Sequence, residues 1–253
     1  MDSGFPRELM NRLDQALVER GLCESRERAK RLILAGQVRV NAQTARKPSD
    51  PVKPGDELCL DAPEKFVSRG GYKLEHALNE FQLDVTGLIV VDLGASTGGF
   101  TDCVLQRGAA RVFAVDVGQG QLAWKLRQDP RVVVMEKTNA RYLQRGQFPV
   151  SADLAVIDCS FISLRKILPP AVPLLVAAGR IVALIKPQFE AGKAEVDKGR
   201  GVITDDTVHR RVISELEEFV LTQAGLCWRA VVESPLLGPA GNKEFLVLIE
   251  KKR

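Results

Sequence analysis

Histidine is almost missing from this chain, which has only His76 and His209 among 253 residues. A histidine-rich metal cluster or a run of imidazole chemistry is therefore excluded, and no metal is expected. The five cysteines, Cys23, Cys59, Cys103, Cys159 and Cys227, stand apart without a C-x-x-C pair, which signals neither a disulfide framework nor a thiolate zinc site. Long hydrophobic runs are lacking too. Ile181 to Ile185 and the proline-broken stretch from Ala171 to Ala178 fall far short of spanning length. Met1-Asp2 is followed by neither a basic nor an apolar leader region, so a cytoplasmic protein with no membrane partner is expected. What the chain does have is 45% hydrophobic residues, enough to bury one sizeable core and a small second one.

Charge is distributed unevenly. Between Arg20 and Lys53 nine Lys or Arg face three acids, a local excess of +6 in a chain whose total is +4. That excess makes a candidate phosphate-backbone surface, with a solvated helix face as the plain alternative. In the same region Leu13, Ala16 and Leu17 recur at helical spacing and stop at Gly21. Ser25 then caps a second helix carrying Ala29, Leu32 and Ile33, which stops at Gly36. Val38-Arg39-Val40, an Asn41 turn, the Pro54-Gly55-Asp56 turn and Glu57 to Leu60 read as short strands. Packing uses the apolar side of the second helix and leaves Arg26, Arg28, Lys30 and Arg31 outside, with Arg39 projecting from the strand that follows. The run from Arg12-Leu13-Asp14 through Ser25 to Asn41 resembles an S4 RNA-binding domain. The resemblance implies a module that grips structured RNA by shape and phosphate contacts, with these five cations as its RNA-binding residues.

From Leu88 onward short apolar runs alternate with amphipathic helical stretches. The runs are Leu88 to Leu93, Val112 to Val115, Val132 to Met135, Leu154 to Ile157, Arg180 to Ile185, Trp228 to Val232 and Phe245 to Ile249. Seven strands with helical crossovers predict an α/β doubly wound sheet. Only the Gly- and Pro-rich segment 235–242 separates the last two strands, so the final strand is expected to return antiparallel, as in methyltransferases.

The first strand runs into Asp92-Leu93-Gly94-Ala95-Ser96-Thr97-Gly98-Gly99-Phe100-Thr101-Asp102, a glycine turn where open α/β sheets bind nucleotides. A P-loop needs Lys-Ser/Thr after its last glycine, and Phe100-Thr101 stands there instead. A dinucleotide fingerprint needs a glycine where Ser96 lies. The loop suits S-adenosylmethionine, which carries no phosphate, and Asp116 at the end of the second strand would accept from ribose hydroxyls. The expected cofactor-binding set is Gly94, Ala95, Ser96, Thr97, Gly98, Gly99, Phe100, Asp116, Val117 and Asn139.

Four charged residues occupy informative places. Lys73 opens the helix before the sheet, Asp158 ends the fourth strand, Lys186 ends the fifth and Glu244 opens the last. As a set they resemble the Lys-Asp-Lys-Glu tetrad of FtsJ-type ribose 2′-O-methyltransferases. The stretches Ser68 to Leu74, Asp92 to Asp102, Asp153 to Leu164, Leu184 to Glu190 and Gly241 to Phe245 narrow the resemblance to the haemolysin A (TlyA) family of ribosomal RNA methyltransferases. It implies an S4-like domain over 1–63 and a Rossmann-like methyltransferase domain over 64–253. It also implies ribosomal RNA or a ribosomal subunit as partner, and methyl transfer to a ribose 2′-hydroxyl, by resemblance that of a cytidine. Lys186 would accept the hydroxyl proton or stabilise the alkoxide, with Asp158 and Glu244 orienting the lysines. Two alternatives stay open. Asp158-Cys159-Ser160-Phe161 fills the slot used by amino-group methyltransferases, which would make a base the acceptor, with Cys159 as a weaker nucleophile candidate. A non-enzymatic RNA-binding or haemolysin-like protein is the other. The segment from Glu190 to Arg200, with Lys193, Lys198 and Arg200, reads as a mobile lid facing RNA.

Overall fold

The structure is a computed structural model that describes residues 10–61, 64–223 and 225–252. The extension before Glu8, to which the sequence assigns no role, lies outside the described residues. Two compact units divide between Lys65 and Phe66.

In the first unit the order is β1 (Asn11–Arg12), α1 (Leu13–Glu19), α2 (Arg26–Leu34), β2 (Val38–Val40), β3 (Gln43–Thr44), β4 (Pro51–Val52) and β5 (Leu58–Leu60). The Ser25 hydroxyl accepts from the Arg28 amide at 3.3 Å and starts α2. Its buried stripe, Ala29 and Ile33, meets Leu13, Ala16 and Leu17 of α1 over Val38, Val52 and Leu58. β2 is the centre of a three-stranded antiparallel sheet ordered β3-β2-β5, and β1 pairs with β4.

The second unit opens with α3 (Gly70–Glu80) and continues through β6 (Ile89–Leu93), α4 (Gly99–Gln106), β7 (Arg111–Val115), α5 (Trp124–Arg127), β8 (Val132–Met135), β9 (Ala152–Ile157) and α6 (Leu164–Ala171). It ends with β10 (Leu175–Ile185), α7 (Pro187–Glu190), α8 (Lys193–Lys198), α9 (Asp206–Thr222), β11 (Leu226–Glu233) and β12 (Phe245–Lys251). The seven strands lie in the order β11-β12-β10-β9-β6-β7-β8. β12 runs antiparallel to both β10 and β11, and the remaining pairs are parallel. Period-two alternation sends Val91 and Leu93 of β6 to one face, with α6 and α9, and Val90 to the other, with α3 and α4.

This order has a consequence for the site. From β6 the chain goes outward to β7 and β8, then crosses back and goes outward through β9 and β10. The reversal point lies between β6 and β9, and a crevice outside the carboxyl ends of those two strands is where such sheets take ligands.

Two sequence expectations need correction. β10 begins at Leu175 rather than Arg180, because its register against β9 shifts between those residues and Ala178 takes a φ of 60° inside the irregularity. The segment from Glu190 to Arg200 is not an open loop but the end of α7 followed by α8. Glu190 accepts from the Ser163 hydroxyl at 2.6 Å and the Leu164 amide at 2.7 Å, which ties the segment to the start of α6. The side chains of Lys193 and Lys198 lie outside the described residues. No helix among the described residues is long and apolar enough to cross a membrane.

Candidate active site

Four separate elements bring the charged tetrad together. Lys73 lies in the first turn of α3, Glu244 just precedes β12, and Asp158 and Lys186 leave the carboxyl ends of β9 and β10. Lys73 Nζ and Glu244 Oε2 are 2.5 Å apart, with side chains only 8% and 1% exposed. Lys186 Nζ lies 2.5 Å from Asp158 Oδ1, with 9% and 25% exposure, and donates to the Ser160 hydroxyl at 2.9 Å. The four charges thus form two neutral pairs, the condition under which lysines can be withdrawn from water.

Three adjoining cavities surround these pairs. The first, about 440 Å³, is lined by Asp116, Val117, Asn139 and Asp158 and contains no Lys or Arg. The second, about 280 Å³, holds all four tetrad residues with Arg69, Ala95, Thr97, Gly99 and Phe100. The third, about 310 Å³, is lined by Phe161, Gln188, Phe189, Asn242, Lys186 and Glu244. Gly94, Ser96 and Asp158 are shared by the first two, Lys186, Pro239 and Glu244 by the last two, Phe161 by the first and third, and Ser160 by all three. The tetrad cavity therefore adjoins two further compartments, which also meet each other at Ser160 and Phe161.

The glycine turn is shaped by close approach. Gly94 follows β6 with a φ of +89°, and a Cβ there would lie 2.6 Å from the Asp158 carbonyl oxygen. Only glycine lets the two strand ends converge at the reversal point. Gly98, expected to bind cofactor, lines none of the three cavities; its φ of +101° and the packing of Leu122 and Leu126 against its back account for it. Asp116 accepts from the Ser96 amide at 2.8 Å and the Gly118 amide at 2.7 Å, which fixes its carboxylate in the wall of the 440 Å³ cavity.

Beneath the turn Asp92 is fully buried and accepts from the Thr101 hydroxyl at 2.6 Å. Burial pushes its carboxyl up to about 7; the Thr101 bond opposes the shift, and the nearby Asp158 and Asp116 charges add to it. Burial likewise pushes the Cys159 thiol up to about 12, and its sulfur donates to the Leu93 carbonyl at 3.4 Å. A buried thiol bonded to a backbone carbonyl suits a packing role better than that of a nucleophile. Among the described residues no group of three or more His, Cys, Asp or Glu is arranged to hold a metal ion.

The sequence places Ser160, Phe161 and Gln188 inside motifs without naming them as site residues. Ser160 lines every cavity, and its signal was available, two residues past a strand-end acid. Phe161 is 90% exposed with a φ of 63°, and neither property can be read from an isolated aromatic in a sequence.

In the first unit the five expected cations lie at the surface, but four are already paired. Arg26 reaches the fully buried Asp14 at 3.0 Å, Arg28 lies 3.4 Å from Glu24, Lys30 2.8 Å from Glu27 and Arg39 2.9 Å from Asp61. Burial, the largest single effect, raises the Asp14 carboxyl, but the hydrogen bonds and charges of the Arg12 and Arg26 guanidiniums together outweigh it and hold it below its usual range. Arg31 is exposed and makes no ion pair within 4.0 Å among the described residues.

Comparison with known proteins agrees with this geometry. The family model for FtsJ-like methyltransferases matches residues 66–251, and that for the S4 domain matches residues 11–58. YqxC of Bacillus subtilis (strain 168) is 50% identical over 238 residues, 93% of this chain and 84% of that protein. The 16S/23S rRNA (cytidine-2′-O)-methyltransferase TlyA of Mycobacterium tuberculosis (strain ATCC 25618 / H37Rv) is 46% identical over 240 residues, 93% of this chain and 88% of that protein. A solved structure of a hemolysin from Streptococcus thermophilus, 45% identical, superposes with a TM-score of 0.73 and covers 96% of this chain and 89% of that one. An S4 domain, a reversal-point crevice with two buried lysine–carboxylate pairs, and relatives matched over nearly their whole length converge on one assignment: the chain belongs to the FtsJ-like methyltransferase family, in the TlyA branch that carries an S4 domain ahead of the methyltransferase unit.

Proposed function

We infer that this chain transfers the methyl group of S-adenosylmethionine to the 2′-hydroxyl of a cytidine in ribosomal RNA, in the cytoplasm, with the S4 unit holding the RNA or ribosomal subunit. The observation that carries this reading is that the cavity holding the tetrad opens onto two others, one lined by Asp116 and Asn139 and one by Gln188 and Phe189. A donor on one side and an acceptor on the other would meet at Lys186, as an in-line transfer requires.

The largest cavity suits the cofactor by the chemistry of its donors and acceptors. Two carboxylates, Asp116 and Asp158, line it and no Lys or Arg does, so a phosphorylated ligand finds no cation there while a sulfonium finds negative charge. Asp116 would accept from the ribose hydroxyls, Asn139 and Val117 would flank the adenine, and Gly94 and Ser96 would supply the wall shared with the tetrad cavity, where Ala95, Thr97, Gly99 and Phe100 would face the methionine end. When bound, S-adenosylmethionine supplies a methyl already activated on sulfur.

The chain's own residues then manage one oxygen and one proton. Lys186 Nζ, held by Asp158 and Ser160, would hydrogen-bond the 2′-oxygen and stabilise the charge that develops on it as it is methylated. The Asp158 carboxylate, a quarter exposed, is the route by which the hydroxyl proton reaches water. Lys73 and Glu244, paired and both buried, would fix another part of the tetrad cavity's wall.

The test is single-turnover methylation of ribosomal RNA by Lys186→Ala, with cofactor binding followed by calorimetry. A rate loss of at least about 100-fold with cofactor binding retained is expected. A near-normal rate would remove Lys186 from this role. Nucleoside analysis of the product separates ribose from base methylation, since only a ribose mark protects its own linkage from alkali.

A further inference from the structure

Two buried acceptor atoms without partners belong to residues that line the same cavity. Gln188 Oε1 and Glu244 Oε1 are sealed from water and make no hydrogen bond, and both residues line the 310 Å³ compartment. An orphaned buried acceptor is costly, and one in a native fold calls for a ligand or water that satisfies it.

Of the residues flanking Gln188, Lys186 and Glu190 have polar partners, in the tetrad and at Ser163 and Leu164, and Phe189 packs as a ring 5.2 Å from that of Phe161. Asn242, the other amide in the cavity wall, is spent: it accepts from the Ile203 amide at 2.8 Å and donates to the Gly201 carbonyl at 2.9 Å. What remains is one unspent carboxamide, two aromatic rings and two of the tetrad residues, Lys186 and Glu244. A carboxamide presents an acceptor beside a donor, which is the complement of a base edge that carries an exocyclic amine next to a ring nitrogen. Rings and a single amide suit a flat heterocycle, while Glu244 Oε1 would take a sugar hydroxyl at the tetrad end.

We propose that Gln188 reads the base of the nucleotide whose ribose is methylated, with Oε1 accepting from the exocyclic amine of cytosine. Uracil would set a carbonyl against that oxygen, acceptor facing acceptor, and is rejected for that reason. This assignment rests on the ribose-methylating reading above and adds to it the residue that selects the base. Gln188 lines neither the cofactor cavity nor the tetrad cavity, so cofactor binding is independent of it.

The experiment uses the full chain and ribosomal RNA transcribed in vitro, after the methylated position has been mapped by fragment mass spectrometry. A second transcript carries uridine at that position. The wild type is expected to favour the cytidine transcript by roughly 10–100-fold in kcat/KM, the range of one well-made bidentate base contact. Gln188→Leu should slow the cytidine reaction and bring the ratio within about threefold of unity, with calorimetric S-adenosylmethionine binding unchanged. Gln188→Glu keeps the acceptor and should keep cytidine preferred. If the leucine variant loses cofactor binding through misfolding, Gln188→Asn, which withdraws the amide by one methylene, should show the same collapse of preference. An unchanged ratio in a folded Leu or Asn variant overturns the assignment, as does a wild type indifferent to the base or a mapped target other than cytidine. Absence of any ribose methylation by the wild type would instead overturn the reading beneath it.

Discussion

Replacing Glu244 by glutamine separates the structural half of the tetrad from its chemical half. Glu244 Oε2 lies 2.5 Å from Lys73 Nζ, and the two side chains are 1% and 8% exposed. Glu244→Gln leaves an ammonium in that enclosure with no opposite charge, and breaking a buried pair from one side costs about 3–5 kcal/mol. With a urea slope of about 2 kcal/mol/M, the unfolding midpoint falls by about 2 M. Both tryptophans, Trp124 and Trp228, belong to the second unit, so their fluorescence follows its unfolding without a contribution from the S4 unit. The double variant Lys73→Met/Glu244→Gln buries no lone charge and should recover most of the loss. Asp158→Asn should cost much less stability, because Asp158 is a quarter exposed and Lys186 keeps Ser160 as a partner. A Glu244→Gln variant that unfolds at the wild-type midpoint, or a double variant no more stable than the single, would refute this account of the pair.

Other consequences can be checked with the same protein. Asp92, pushed up to about 7 by burial, holds a proton in the folded chain that the unfolded chain has released above about pH 4. Its contribution therefore lowers stability as pH rises from about 4 to about 7, and Asp92→Asn, measured by urea midpoint at about pH 5 and about pH 8, should gain on the wild type by a few kcal/mol over that interval. A difference between the two chains that does not change with pH would contradict the shift. Arg31→Ala should weaken RNA binding and reduce its salt slope by about 1 without moving the stability of the S4 unit. Arg26→Ala, which strips a partner from the buried Asp14, should also lower protection of that unit in hydrogen exchange by about 1–3 kcal/mol. Gly94→Ala, whose Cβ would lie 2.6 Å from the Asp158 carbonyl, should abolish calorimetric cofactor binding; retention of normal affinity would show that the strand ends can part.

Much of the site is legible in the sequence because it lies at strand ends. Short apolar runs that stop at Asp158 and Lys186 mark where β9 and β10 leave the sheet, and the topology then carries both to one crevice. The pairing within the tetrad is not legible, since Lys73 and Glu244 meet across 171 positions of chain. The same limit hid the ties of the S4 cations: Arg26 to Asp14 and Arg39 to Asp61 are folded contacts, whereas helical periodicity only predicts which face a residue occupies. The early start of β10 escaped because Leu175 to Gly179 carries an irregularity that satisfies the β9 register and not a local preference. Glu190 read as a loop residue, yet burial raises its carboxyl while it holds the start of α6. Gln188 and Phe161 acquire meaning only from a cavity, which no linear pattern encodes.

The central claim is that the methyl group goes to a ribose oxygen held by Lys186. Ribosomal RNA methylated by the wild type and by Lys186→Ala, digested to nucleosides and resolved by mass spectrometry, tests it most directly. The account predicts 2′-O-methylcytidine from the wild type and its near-disappearance from a variant that still binds S-adenosylmethionine. A methyl group found on the base, or undiminished 2′-O-methylcytidine from Lys186→Ala, would contradict it.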